Sequence, residues 1–385
     1  MNKLKIGLLP KILIAIALGI GAGLVAPEWI ARIFVTFNGI FSQFLGFVIP
    51  LIIVALVTTA IADIGNKAGK MLLVTVGLAY GSTVFAGLVS YFTGATLFPS
   101  MINSGAAMES INEAKSLVPY FEVNIPPLMG VMTALILAFT LGLGLASTQH
   151  DTLMKATHGF EEIMVKTIKT AIIPLLPLYI FSIFLDMAYV GKVFAILGVF
   201  IKIIGVIFVI HIGILLLQFI IAGLVTRKNP FRLLLNMLPA YFTALGTQSS
   251  AATIPVTLEQ TCKNGVSEDV AGFTVPLCAT IHMAGSTLKI VACALALMIM
   301  MGMPYSFGMF AGFICMLGIT MVAAPGVPGG AIMASLGLLA GMLGFSAEAQ
   351  ALMIALYIAM DSFGTACNVT GDGAISLIVD RIFRK

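Results

Sequence analysis

Charge is what this chain has least of. Of its 385 residues only 9% are Asp, Glu, Lys or Arg, while 60% are hydrophobic. A soluble globular chain carries roughly 25% charged residues, so this one has too few to cover a water-facing surface. A soluble enzyme, a nucleic-acid binder and a disordered chain are excluded together, and the solvent must be mostly lipid. Cysteine is sparse too. Cys262, Cys278, Cys293, Cys315 and Cys367 are odd in number and show no C-x-x-C spacing, which argues for small buried hydrophobes over a disulfide framework or a zinc site. No Walker loop, dinucleotide fingerprint or H-E-x-x-H segment is present. The net charge of +4 is too small to call for a polyanion, and no nucleic-acid partner is expected.

Long hydrophobic runs are what the chain has in excess. Crossing the hydrocarbon core takes roughly 20 apolar residues, and suitable runs fall at about 12–36, 39–62, 71–98, 126–148, 165–190 and 193–226. The first follows Lys3, Lys5 and Lys11 as a signal peptide would. Ala26-Pro27 is a poor cleavage context, so the run reads as a retained first helix. Lys67, Lys70, Lys155, Arg227, Lys228, Arg232, Arg381, Arg384 and Lys385 join the N-terminus on one side if six helices alternate and the last ends where the first began. That side should be the cytoplasm, with both termini on it. The segment 98–122 falls opposite, with Glu109, Glu113 and Glu122 against Lys115.

After residue 230 the pattern changes. The run 231–246 breaks at Thr247-Gln248-Ser249-Ser250, and a second break comes at Pro325-Gly326-Val327-Pro328-Gly329-Gly330. Neither flank of the first break is long enough to span. Longer segments at about 270–302 and 347–380 follow the two breaks, each with polar residues in its middle. Interrupted hydrophobic segments in matching positions of two halves point to a transporter site. The order therefore reads as an inverted pair of re-entrant hairpins whose tips meet near the bilayer midplane. Two ordinary hairpins with glycine kinks are the alternative.

The last segment carries Asp361, Thr365, Asn368 and Asp372, spaced by four, three and four, on one helical face. Ionisable groups inside a membrane are costly and functional by default. One carboxylate can hold an ammonium group, the Asn can donate to a carboxylate, and the second Asp can bind a cation; a polar seam between helices is the alternative. The other long segment carries His282, Ser286, Thr287 and Lys289, with His282 and Lys289 two turns apart on one face. Lys289 is too deep to snorkel and needs an anion: Asp361, Asp372 or a substrate. His282 is either a hydrogen-bonded structural residue or a proton carrier. The Ser249-Ser250 tip and the glycine tip offer N–H groups to an anion.

Four blocks resemble the dicarboxylate/amino acid:cation symporter family, which includes glutamate, aspartate and neutral amino acid transporters. They are Thr247-Gln248-Ser249-Ser250-Ala251-Ala252-Thr253-Ile254-Pro255-Val256-Thr257, Pro276-Leu277-Cys278-Ala279-Thr280-Ile281-His282-Met283-Ala284-Gly285-Ser286, Gly326-Val327-Pro328-Gly329 and Asn368-Val369-Thr370-Gly371-Asp372. The resemblance implies an all-α polytopic membrane protein with eight transmembrane helices, two re-entrant hairpins, an elevator mechanism and a homotrimer. Residues 1–230 would be mainly scaffold and trimerisation helices, except that the third helix, about 71–98, joins the transport domain. The transport core would comprise hairpin 1 (231–264), helix 7 (268–302), hairpin 2 (307–345) and helix 8 (347–383). Substrate would be held by the tip at Ser249 and Ser250, by Ser286, Val327, Thr365 and Asn368, and by Asp361 at its amino group.

The chain departs from the family at informative places. The family's Asn-Met-Asp-Gly-Thr is here His282-Met283-Ala284-Gly285-Ser286, without the sodium-binding amide and carboxylate. A gapless register puts Thr75, Leu78 and Ala79 where the third helix of sodium-coupled members supplies Tyr, Thr and Ser to the same ion. One sodium site is therefore expected to be lost, and His282, Asn368 and Asp372 become the candidates for a coupling ion, H+ or Na+. Gly364 stands where members that carry acidic substrates have an Arg, which implies a neutral amino acid. Lys289 either supplies a transplanted cation for an acidic side chain or replaces the sodium charge beside Asp361 or Asp372.

The expected function is secondary transport of an amino acid across a prokaryotic cytoplasmic membrane, with sodium coupling reduced or lost and no cofactor. Its rivals are a proton-coupled carrier of dicarboxylates or other organic anions, an ion channel, and an intramembrane hydrolase using Ser250 and His282.

Overall fold

The computed structural model describes residues 8–66, 69–102, 117–148, 151–191, 193–324 and 329–383, and among these it is helical with no strand. A helix closes its backbone hydrogen bonds within one segment, as a chain in hydrocarbon must. Val327 and the rest of the second tip at 325–328, Lys3, Lys5, Lys67, Glu109, Glu113, Lys115, Arg384 and Lys385 lie outside the described residues.

Helix α1 (Leu8–Val25) is followed by the 39-residue α2 (Glu28–Asn66). The first division thus falls at Ala26-Pro27, rather than between 36 and 39 as hydropathy suggests. Pro27 lacks an amide hydrogen and disfavours helix in Ala26, whereas nothing near Asn38 stops a helix. Helix α3 (Lys70–Met101) and α4 (Val131–Thr148) come next. Then α5 (Asp151–Thr167) runs through a wide turn at Ile168–Ile172 into α6 (Ile173–Tyr189). The apolar run at 165–190 is only the second part of this span, because α5 keeps Asp151, Lys155, Glu161 and Glu162 along it and is invisible to hydropathy. Helix α7 (Val193–Thr226) completes the first half. Helices α1 and α6 meet through Gly19 and Gly23: a Cβ on Gly19 would stand 2.5 Å from the Phe181 carbonyl oxygen. Small residues allow such close approach of backbones in membranes.

The second half is built from shorter pieces. Asn229 caps α8 (Pro230–Asn236), accepting from the amides of Phe231 and Arg232. Then α9 (Leu238–Thr247) packs against α10 (Ser250–Lys263), and α13 (Phe307–Val322) against α14 (Gly330–Leu343). At 10, 14, 16 and 14 residues none of the four reaches the roughly 20 needed to span. Between the pairs lie α11 (Glu268–Ile281) and α12 (Ala284–Met300), and after them α15 (Ala347–Ala359) and α16 (Asp361–Phe383). By length and composition, five helices among the described residues can cross a membrane, and the pair α15–α16, bent by 62°, makes a sixth.

Two interruptions position the site. The helix stops at Ile281 and restarts at Ala284, leaving His282 at φ −98° and ψ 104°. His282 and Lys289 therefore do not share one continuous helical face, contrary to the spacing argument. The second interruption, at Met360, turns α16 so that it starts at Asp361. Helix α12 is buried along its whole length and packs against α3, α15 and α16. Both arms of the first hairpin pack on α16.

Candidate functional site

The stripe read from the spacing of α16 is real and faces inward: Asp361, Thr365, Asn368 and Asp372 are all buried, with Asp372 only 1% exposed. Three clusters form along it.

At the start of α16, the Asp361 Oδ2 atom accepts a hydrogen bond from the Gly329 amide at 2.8 Å. Lys289 Nζ lies 3.9 Å from Asp361 Oδ1, donates to the Met360 carbonyl at 2.9 Å, and sits 4.2 Å from the centre of the Tyr357 ring. A cation over an aromatic face is favourable when desolvated. Gly364 makes the space: a Cβ there would collide with Nζ and Cε of Lys289. Thr365 donates to the Asp361 carbonyl at 3.1 Å.

One turn on, Asn368 bridges to α12. Its Oδ1 accepts from the amides of Gly285 at 2.8 Å and Ser286 at 3.4 Å, which belong to the otherwise unpaired first turn of that helix. Its Nδ2 donates to Ser286 Oγ at 3.1 Å, and the Tyr357 hydroxyl donates to the same oxygen at 2.9 Å.

The third cluster gathers at the His282 interruption. His282 Nδ1 lies 2.9 Å from Asp372 Oδ1, and its Nε2 lies 3.1 Å from Ser82 Oγ. Ser82 in turn accepts from Gln218 Nε2 at 2.9 Å. The Met283 amide donates to Thr83 Oγ1 at 3.3 Å. Asp372 Oδ2 and Gln218 Oε1 are buried and have no hydrogen-bond partner among the described residues. Gln218 and Ser82 help to line a largely apolar cavity of about 270 Å³ between α3, α7 and α16.

The first tip joins two helices that both pack on α16. Gln248 adopts the left-handed conformation, φ 53°, and ends α9. Ser249 caps α10 by accepting from the Ala252 amide at 3.3 Å, and Ser250 is buried in its first turn. Val327, expected at the opposite tip, lies outside the described residues.

Sequence reasoning missed Tyr357, Ser82, Thr83 and Gln218. Gln218 had a signal, as a lone amide in an apolar run. Of the third-helix positions expected from the resemblance, Thr75 donates to its own helix at Met71, and Ala79 packs with Cys278, Ile281 and Ile375. It is Ser82 and Thr83 of this helix that supply hydroxyls beside the interruption. The His282 ring is engaged by Asp372, Ser82 and Gln218. Among the described residues no group of three or more His, Cys, Asp or Glu could hold a metal ion.

Over 98% of its length the chain is 29% identical to the serine/threonine transporter SstT of Acinetobacter baumannii, covering 97% of that protein. It is 34% identical to the excitatory amino acid transporter 3 of Mus musculus over 42% of this chain and 31% of that one. The model of the sodium:dicarboxylate symporter family matches residues 8–382. With its apolar helices, its interruptions and its buried polar stripe, this multi-pass membrane chain is a transporter and not an enzyme, and it belongs to the sodium:dicarboxylate symporter family.

Proposed function

We propose that the protein is a secondary transporter of a small neutral amino acid that works by an elevator motion, with sodium coupling reduced or lost. The observation that carries this is the pairing of Asp361 and Asn368 on one buried face, with Ser286 and the Gly329 amide around them. A carboxylate and an amide about two helical turns apart suit the ammonium and carboxylate of a zwitterion. Ser249, Ser250, Thr365 and Val327 complete the cage in this reading. Gly364 offers no guanidinium to an acidic side chain, and the Lys289 ammonium is already engaged by Asp361 and Met360. Both favour a neutral substrate, in line with the name of the bacterial relative.

For coupling, His282 with Asp372 takes the place of a sodium ion and its ligands, so a proton or plain exchange drives the cycle. Asn368 and Asp372 are the residues that a remaining sodium ion would use. Helices α8–α16 together with α3 are the moving core, since α3 packs on α12 and α13. The other helices form the scaffold of a homotrimer, embedded in the lipid of a cytoplasmic membrane with both termini inside. This arrangement counts α1, α2, α3, α4, α5–α6, α7, α11–α12 and α15–α16 as eight spans, with α9–α10 and α13–α14 as the re-entrant hairpins.

The ion pair between Lys289 and Asp361 favours one competing reading, a dicarboxylate carrier, because a neutralised Asp361 does not repel a dianion. Uptake into proteoliposomes separates the two. Serine should be taken up and should compete better than succinate, Asp361→Ala should abolish the uptake, and choline in place of sodium should leave the rate unchanged. Uptake that survives Asp361→Ala refutes the site, and a rate that collapses in choline refutes the coupling.

A further inference from the structure

We propose that Lys289 is a tethered counter-cation: in the empty carrier its ammonium holds the place on Asp361 that the substrate's ammonium takes on binding. This rests on the amino-acid reading above and adds how the empty carrier resets.

Lys289 is 1% exposed and Asp361 5% exposed, so bulk water solvates neither. At 3.9 Å the two charges pair without a short hydrogen bond. What anchors the ammonium is the Met360 carbonyl at 2.9 Å and the Tyr357 ring at 4.2 Å. Those two contacts can keep it solvated when Asp361 turns to a different cation. The space it occupies exists only because residue 364 is glycine. A second ammonium brought to the same carboxylate is repelled by the first, so substrate binding and the lysine contact compete. A bare carboxylate carried through low dielectric pays a penalty of several kcal/mol even after relaxation. Lys289 removes that penalty from within, and the unloaded core needs no counter-transported cation to return.

The test compares net serine uptake into empty proteoliposomes with exchange into serine-loaded ones, for the full-length wild type, Lys289→Met and Lys289→Ala. Losing the cation should lower the ratio of net uptake to exchange at least about tenfold, since one decade of rate is a small part of that penalty. Ethylammonium on both sides should restore the ratio in Lys289→Ala. Gly364→Ala keeps the charge but displaces it, and should raise the affinity of purified protein for serine. An unchanged ratio, equal loss of both modes without rescue by the amine, or an unchanged affinity in Gly364→Ala overturns the proposal. Wild type that transports no amino acid defeats the amino-acid reading with it, whereas serine transport with an unaltered ratio in the lysine variants defeats this inference alone.

Discussion

The ammonium of Lys289 stands where a side chain on residue 364 would begin, because a Cβ on Gly364 would run into Nζ and Cε of the lysine. The pair explains why residue 364 is a glycine. It also makes the two positions interdependent: a side chain at 364 forces the end of Lys289 to shift.

Gly364→Ala should therefore cost about 1–3 kcal/mol of stability, the range for overpacking a filled site. With Lys289→Met alongside, the loss should fall short of the sum of the two single changes by at least about 0.5 kcal/mol. Thermal unfolding of the purified protein in detergent measures the cycle. Strict additivity means that the two residues do not meet.

His282→Ala should destabilise the protein by about 1–3 kcal/mol, because removing one partner of a buried hydrogen bond leaves the other unsatisfied. Asp372 Oδ1 loses its partner at 2.9 Å, and Oδ2 has none among the described residues. Adding Asp372→Asn should recover part of the loss, since an amide is cheaper to bury than an unpaired charge. Identical melting temperatures for the single and double variants would count against the pairing.

The first tip offers a backbone prediction. Gln248 sits at φ 53°, a conformation that costs a side chain roughly 1–2 kcal/mol. Gln248→Gly should hold or raise the melting temperature, while Gln248→Val, whose branched side chain tolerates this region poorly, should lower it. A valine variant as stable as wild type would mean that the turn relaxes away from the left-handed geometry.

Much of the architecture was legible along the chain. The two breaks at Gln248–Ser250 and before Gly330 showed because polar and glycine-rich segments cannot continue a lipid-facing helix. The face formed by Asp361, Thr365, Asn368 and Asp372 showed because their spacing matches the helical period. Helix α5 did not show, since its charges hide it from hydropathy. The turn at Ala26-Pro27 was present in the residues, yet it was outweighed by the length of the apolar run.

The sequence alone determined that the protein lives in lipid, that it is helical, and that charges lie deep in its last segment, because these depend on hydropathy and local spacing. Which charge meets which was decided only by the tertiary structure. Lys289 could have served Asp361, Asp372 or a ligand. The interruption at His282–Met283 separates the histidine from the lysine, so His282 meets Asp372 while Lys289 meets Asp361. Long-range pairing follows from how helices break and cross, and a reading along one chain contains no distance between its remote parts.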